Sequence, residues 1–563
     1  MTRKAKKKDL GRRSNRPASA RKARPGGTEA AGTIWSGKRG ARLEFVIFTL
    51  VAAATAAYVY LQSPNLREID AFYHFRHASL YAHNGIFMKE FPWAVYSVIS
   101  RFSADIWYGF HLLLAPFTFI PDPMWEIKAG GIFLFTMLLV VLYLALRRIE
   151  ISYPFLWPFL LLGPFVWRMA VPRPQIASLA SAALLFSFML RGGVWGVFFS
   201  SLALTFFHLS FFWLALVVAV AVALVKIRTE KILEWRKLLA VMLGLAAGWL
   251  LRPNPMGAAK ILYVQVFELF FARNEGLSFG VELNPLAPRV LFSVFTPFLI
   301  LWLGVASISL AVILLRRVPL PARSRTLFWS SFALSLLFFG MVVLVAMRSA
   351  DQWALFAILS TASGFTLFID PKAAELKGSL TREGRIIAAS IGSLVFVFLV
   401  WHSMGQYSLH MRISSLPPYR FQAAGEWLKE HARPGEIVFN AKWDNFSELF
   451  FWDPQNRYIG GMDPIFQYAY DPSLYWKAHH LGQGEAASHT WGTRNPTEAN
   501  LEDTYTVLRR DFKASYVFIE KKPRDNAALY GYLRGDPRFI LRFDDEWAAI
   551  FQLSEAAQGE EKR

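Results

Sequence analysis

Between residues 43 and 402 the apolar positions of this chain do not alternate with polar ones; they come in runs. Eleven runs approach the length of a membrane span: 45–61, 130–146, 153–169, 176–190, 194–207, 211–225, 238–251, 290–315, 327–346, 354–369 and 387–401. A straight span needs about 20 apolar residues, so the ends of the shorter runs are soft. From 417 the pattern changes. The stretch 423–431 has the spacing of an amphipathic helix, and 436–440, 514–520 and 539–543 read as strands. The expected fold class is a polytopic α-helical membrane domain of about 11 spans followed by a mixed α/β domain.

Charge sharpens this picture by its placement. The net charge of +20 invites a nucleic-acid partner, but fourteen of the 61 Lys and Arg precede Glu44 in a segment rich in Gly, Ser, Ala and Pro. Such a segment predicts a disordered tail rather than a binding domain. It lacks a cleavage site. Beside a first span, it holds that end in the cytoplasm and touches anionic lipid. With the tail inside, the loops at 147–148, 191, 226–237, 316–325 and 372–385 fall inside, and these are the Lys/Arg-rich ones. The loops at 63–128, 168–175, 208–210, 252–289 and 347–353 fall outside, as does the C-terminal domain.

The run 106–120 is also apolar, but counting it as a span would reverse every later loop. It is therefore read as an embedded or interfacial part of the first outer loop. The expected divisions are a basic tail at 1–42, a transmembrane domain at 43–402, a linker at 403–416, an extracytoplasmic domain at 417–554 and a polar tail at 555–563. The absence of cysteine excludes disulfides and thiolate chemistry.

The first outer loop opens with Arg67-Glu68-Ile69-Asp70-Ala71-Phe72-Tyr73-His74-Phe75-Arg76-His77. A helix starting at Asp70 puts His74 and His77 on the same side, one turn on. Carboxylate and imidazole together hold a divalent cation or pass a proton. The same spacing also suits an interfacial helix whose charges meet water.

This run resembles the first outer loop of the oligosaccharyltransferase catalytic subunit, and more broadly the GT-C superfamily of polyprenyl-phosphate-dependent glycosyltransferases. The resemblance implies that Asp70 is a catalytic and metal-binding residue; with the local spacing, the expected catalytic acids are Asp70 and Glu68, and the expected divalent cation, Mn or Mg, lies on Asp70 and His74. The second outer loop, Trp167 to Gln175, lies where that family has its second acid. Here it carries Arg168, Arg173 and Gln175 and no acid, so the family's two-carboxylate metal site is not assembled in the same way. Arginines there suit phosphate.

The other landmarks follow in order. Arg348 corresponds to an arginine that contacts the lipid pyrophosphate, and Glu282 to a loop glutamate that closes over substrate. Trp443-Asp444 is what remains of the acceptor motif Trp-Trp-Asp-Tyr-Gly, and Asp463 lies where the family often has an Asp. Donor phosphate is thus assigned to Arg348, Arg173 and Arg168, and acceptor to Trp443, Asp444 and Glu282. His208, at a span end, reads as structural.

The implied function is a membrane glycosyltransferase moving a sugar or oligosaccharide from a polyprenyl (di)phosphate to an extracytoplasmic acceptor. Its partners would be the lipid-linked donor, membrane lipid and that acceptor, with no nucleic acid, in the inner membrane. Two other classes stay open. A flippase or transporter of lipid-linked saccharide is disfavoured by the near absence of ionisable residues in mid-span. A non-catalytic scaffold of the same fold is kept open by the missing second acid.

Overall fold

The computed structural model describes residues 37–272, 276–277, 280–316, 320–379, 381–414, 416–522 and 526–554. The polar tail expected at 555–563 and most of the basic tail lie outside these; positions 37–42 already belong to the first helix, Gly37–Leu61.

Among the described residues, seven helices are long and apolar enough to cross a membrane. They are Arg39–Leu61, Pro123–Arg148, Pro174–Arg191, Leu209–Thr229, Thr296–Leu315, Ala322–Leu344 and Met347–Ala373. Three further runs are also helical, within Val194–Phe207, Trp235–Leu250 and Arg382–Ser414. The last continues through 403–414, where a linker is expected, because no proline interrupts it before Pro417. The chain is a polytopic membrane protein with a C-terminal α/β domain.

The run 153–169 departs from expectation. It is not one helix but a 3-10 turn, Trp157–Leu162, and a short helix, Val166–Met169, joined by bends. Pro154, Pro158 and Pro164 explain the break, since each removes a backbone donor and crowds the preceding turn. The broken segment is mostly buried by protein, the condition under which irregular backbone is tolerated at membrane depth. It runs from the Arg148 end of the bundle to the start of helix Pro174–Arg191, so it delivers Arg168 and Arg173 to the opposite end.

Helices Val194–Phe207 and Trp235–Leu250 touch through Gly244 and Gly248. A Cβ on Gly248 would lie 2.2 Å from Thr205 Oγ1 and 2.4 Å from the Leu202 carbonyl. Small residues four apart allow this backbone approach.

The C-terminal domain has a five-stranded sheet in the order Arg457–Tyr458, Ile437–Asn440, Tyr516–Glu520, Ala548–Leu553, Phe539–Asp544. The first three strands are parallel and the last two antiparallel. The amphipathic helix forms at Gln422–His431. The central strand Tyr516–Glu520 is buried throughout, with an apolar run up to Glu520. Strand Ala548–Leu553, which pairs with it, is one the alternation pattern did not reveal.

Two contacts seat this domain on the first loop. Residues 93–96 extend the sheet at its Tyr458 edge, with Val95 N–H donating to Tyr458 O (2.8 Å), Tyr458 N–H to Trp93 O (2.7 Å) and Tyr96 N–H to Ile459 O (3.0 Å). Helix Phe446–Trp452 then packs on helix Asp70–Asn84 through Phe72–Phe451 and Tyr73–Phe450 ring contacts. The run 106–120 forms Tyr108–Leu114 and a 3-10 turn beside that same helix.

Candidate active site

Asp70 opens the helix Asp70–Asn84 and lies in its first turn, where the helix dipole favours a carboxylate. Its backbone N–H donates to Glu68 Oε1 at 3.3 Å, which turns both acids toward the same space. Into that space comes Arg173. Its Nη2 is 2.6 Å from Glu68 Oε1 and 2.8 Å from Asp70 Oδ2. Pro172 and Pro174 flank Arg173 and keep it extended, with φ −115° and ψ 156°, as the residue that starts helix Pro174–Arg191.

The long loop closes the side of this group. Glu282 Oε2 is 3.2 Å from Arg168 Nη1 and 3.5 Å from Arg173 Nη1, and its Oε1 is 3.8 Å from Arg348 Nε. The loop is held there by Leu286 N–H on Val342 O (2.9 Å) and Met347 N–H on Asn284 O (2.7 Å). Arg168 is buried and gripped by both oxygens of Asp351. Arg348 is the most open of the three guanidiniums, with 34% of its side chain exposed.

The C-terminal domain supplies the roof. Trp443, Asp444, Met462 and Asp463 line the same cavity as Glu68, Asp70, His74, Arg168, Arg173, Glu282 and Arg348, a space of about 340 Å³. Every site residue expected from the sequence therefore meets in one place. Asp463, Gln175, His208 and Gln265 join them. Asp463 is fixed by capping Ile465 N–H at 3.2 Å. Of these four, Gln265, on a short π-helical stretch, left no readable signal in the sequence.

Electrostatics separate the acids. Burial raises the Asp70 carboxyl to about 7, against the pull of Arg173 and with a push from Glu68 and Glu282. Burial also raises Asp463, to about 6. For Glu282 burial works the same way, but Arg348, Arg173 and Arg168 outweigh it and hold that carboxyl at about 2. The cavity thus pairs a glutamate whose carboxyl three arginines hold down with an aspartate whose carboxyl burial pushes up.

His74 lines the cavity, but its Nδ1 lies 2.8 Å from His111 Nε2. His111 Nδ1 is in turn 2.6 Å from Asp105 Oδ2, which also accepts from Tyr81. The imidazole is therefore tied to a buried chain rather than to Asp70. Burial, His111 and Arg173 depress its basicity well below the ordinary histidine range. Two His/acid groups have metal-ligand spacing among the described residues: His77, Asp105 and His111, and His479, His480 and Glu485. Neither contains Asp70.

The sequence matches no family model and no curated protein. Solved structures do match. Over 92% of this chain and 99% of that one, it superposes on ArnT from Cupriavidus metallidurans bound to undecaprenyl phosphate, with a TM-score of 0.52 and 12% identity. The Archaeoglobus fulgidus oligosaccharyltransferase in its apo form gives 0.53 at 10% identity, over 91% of this chain and 74% of that one. Its complex with Zn and sulfate gives 0.51 at 12% identity, over 90% and 73%.

The chain has the GT-C fold. The cavity draws Asp70 from the start of helix Asp70–Asn84, Arg173 from the start of helix Pro174–Arg191, Glu282 from the long loop, and its roof from the C-terminal domain.

A second, more apolar cavity of about 650 Å³ adjoins the first. The two share Trp167, over whose ring Arg67 sits at 5.0 Å and Arg168 at 5.4 Å. Its walls are the broken segment (Gly163, Pro164, Val166), helix Pro288–Val294 and helix Arg382–Ser414.

Proposed function

We propose that this chain is a membrane glycosyltransferase that moves a sugar or oligosaccharide from a polyprenyl (di)phosphate to an extracytoplasmic acceptor. The observation that carries this reading is the convergence of Asp70, Arg173, Glu282 and Arg348 in one cavity roofed by Trp443 and Asp444. The basic loops support an orientation with the N-terminus in the cytoplasm and the cavity on the outer side of the inner membrane.

A lipid-linked donor suits two adjoining cavities of unlike character. Its isoprenoid tail belongs with Pro164, Val166, Val290 and Val294, and its phosphate with the guanidiniums on the other side of Trp167. Arg348, the least committed of these, is assigned to the phosphate; Arg168 and Arg173 set the positive potential behind it. ArnT, which shares the fold, was solved with undecaprenyl phosphate bound.

Chemistry then needs position and charge. The acceptor heteroatom, entering beneath Trp443, attacks the anomeric carbon as the bond from that carbon to the phosphate oxygen breaks. The electron pair of the broken bond goes to the phosphate, where Arg348 offsets it. The proton of the acceptor goes to Asp70, whose carboxyl is half ionised near neutral pH.

The test is transfer of radiolabel from a polyprenyl-linked sugar to a cell-envelope acceptor extract by the purified chain. Transfer that disappears in Asp70→Ala, with folding unchanged, supports the reading. Transfer unaffected by that substitution refutes the site. Lipid movement across vesicles without transfer makes the chain a flippase, and binding of a partner through the roof domain with neither activity makes it a scaffold.

A further inference from the structure

A divalent cation in this cavity would be held by one or two carboxylates, and the chain offers Glu68 and Asp70. The point they face is taken. Arg173 Nη2 lies between them, at the 2.6–2.8 Å separation of charge-assisted hydrogen bonds. Mg²⁺ would bring its oxygens to about 2.0–2.1 Å and demand near-octahedral surroundings. To enter, it would have to expel a guanidinium whose backbone the two flanking prolines hold extended, and cost that charge its two shortest ion pairs, leaving it the longer one to Glu282. Burial of the Arg173 side chain, 16% exposed, makes that costly. His74, the other expected ligand, commits its Nδ1 to His111 and belongs to neither group with metal-ligand spacing among the described residues.

We propose that Arg173 is a built-in counter-cation: its guanidinium occupies the place of a divalent metal between Glu68 and Asp70, so this cavity binds no metal and works without one. The second loop carries an arginine instead of an acid for a physical reason. An acid there would make a third carboxylate beside Glu68 and Asp70 and call for a metal to offset the three, whereas the arginine pairs with those two itself. Replacing Arg173 by aspartate restores a two-loop carboxylate set and turns a metal-free cavity into a cation site.

The test uses the full chain in detergent or nanodiscs and reads Mn²⁺ binding by electron paramagnetic resonance, without turnover. Binding at His-containing groups elsewhere is separated by its indifference to Asp70→Asn. In the unmodified protein, no bound Mn²⁺ is expected that Asp70→Asn removes. R173D should gain one Mn²⁺ that binds at least about tenfold tighter than in the parent, as reversal of a nearby charge requires, and Glu68→Gln or Asp70→Asn should remove it. If R173D fails to fold, Arg173→Gln serves, with a smaller gain in the same direction. Mn²⁺ bound to the unmodified protein and lost in Asp70→Asn overturns the proposal, as does a folded Arg173 variant without any gain.

The functional consequence rests on the transferase reading: label transfer should persist in excess chelator. Transfer that chelator stops and Mn²⁺ restores through Asp70 overturns the built-in cation and leaves the transferase standing. Absence of transfer, with Mn²⁺ binding as expected, overturns the transferase reading alone.

Discussion

Arg173 and Arg420 each sit between two carboxylates, but in different surroundings. Arg420, in the C-terminal domain, donates through Nε to Glu448 at 3.0 Å and through Nη1 to Glu520 at 2.7 Å. Lys442 (3.5 Å) and Asn445 (3.2 Å) complete the group on Glu520. Arg420, Glu448 and Glu520 are 4%, 1% and 4% exposed, so this cluster is sealed. Arg173, Glu68 and Asp70 are 16%, 18% and 23% exposed and face an open cavity. The same chemical pairing therefore serves different ends. The sealed cluster pins the Lys442–Phe446 turn and so places Trp443 and Asp444; the open one presents its charges to a ligand. Access, rather than the presence of an ion pair, distinguishes a scaffold from a site.

That contrast can be broken at either cluster. The largest effect is expected from Asp70→Asn, which should lower transfer by about 10²–10⁴-fold, the range for losing a general base, with the melting temperature held. Arg348→Ala should lower kcat by about 10²-fold with folding again intact, as loss of one charge-stabilising donor does. Arg420→Ala should behave in the opposite way. It leaves Glu448 buried without its arginine and Glu520 with only Lys442 and Asn445, and should destabilise the C-terminal domain by about 3–5 kcal/mol, read as early proteolysis of that domain or a lowered unfolding midpoint.

The pH profile sharpens the comparison further. Activity should rise with pH as Asp70 ionises around 7, and Asp70→Asn should abolish that limb. Below it, proton uptake removes the base, giving about a tenfold loss per pH unit. Glu282, held at about 2, adds no limb of its own in that range. The smallest effect is expected for Glu282→Gln, which keeps the shape of the loop residue and weakens its hold on Arg348. A several-fold rise in KM with little change in kcat would mark it as a clamp.

The first loop was legible because its chemistry is local. Glu68 and Asp70 are two apart, immediately beyond a span, and the helix that Asp70 starts forms as expected. Arg168, Arg173 and Arg348 were legible as cations on outer loops, but not in their pairing. Nothing in the spacing says that Arg168 is gripped by Asp351, 183 positions away, while Arg348 stays open. His74 shows the reverse case. Its place one turn after Asp70 suggests a shared ligand, yet the ring turns to His111, which the fold delivers from the following loop helix. The run 153–169 has the apolar content of a span, but its three prolines break the helix that a span would need.

By itself the sequence determined the helical membrane domain, the change of architecture after Pro417, the loop on which Asp70 stands and the absence of a second acid at 168–175. These follow from composition and short-range periodicity, which act within a few residues of one another. Only the tertiary structure decided that Arg173 fills the gap between Glu68 and Asp70, that Glu282 bridges three arginines, and that Trp443 and Asp463 close the top. Those contacts join positions far apart in the chain. They form because a proline-broken segment and a sheet edge paired with residues 93–96 bring separate loops to one end of the bundle. The charge of each residue was written locally; the partner that gives the charge its role was chosen by packing.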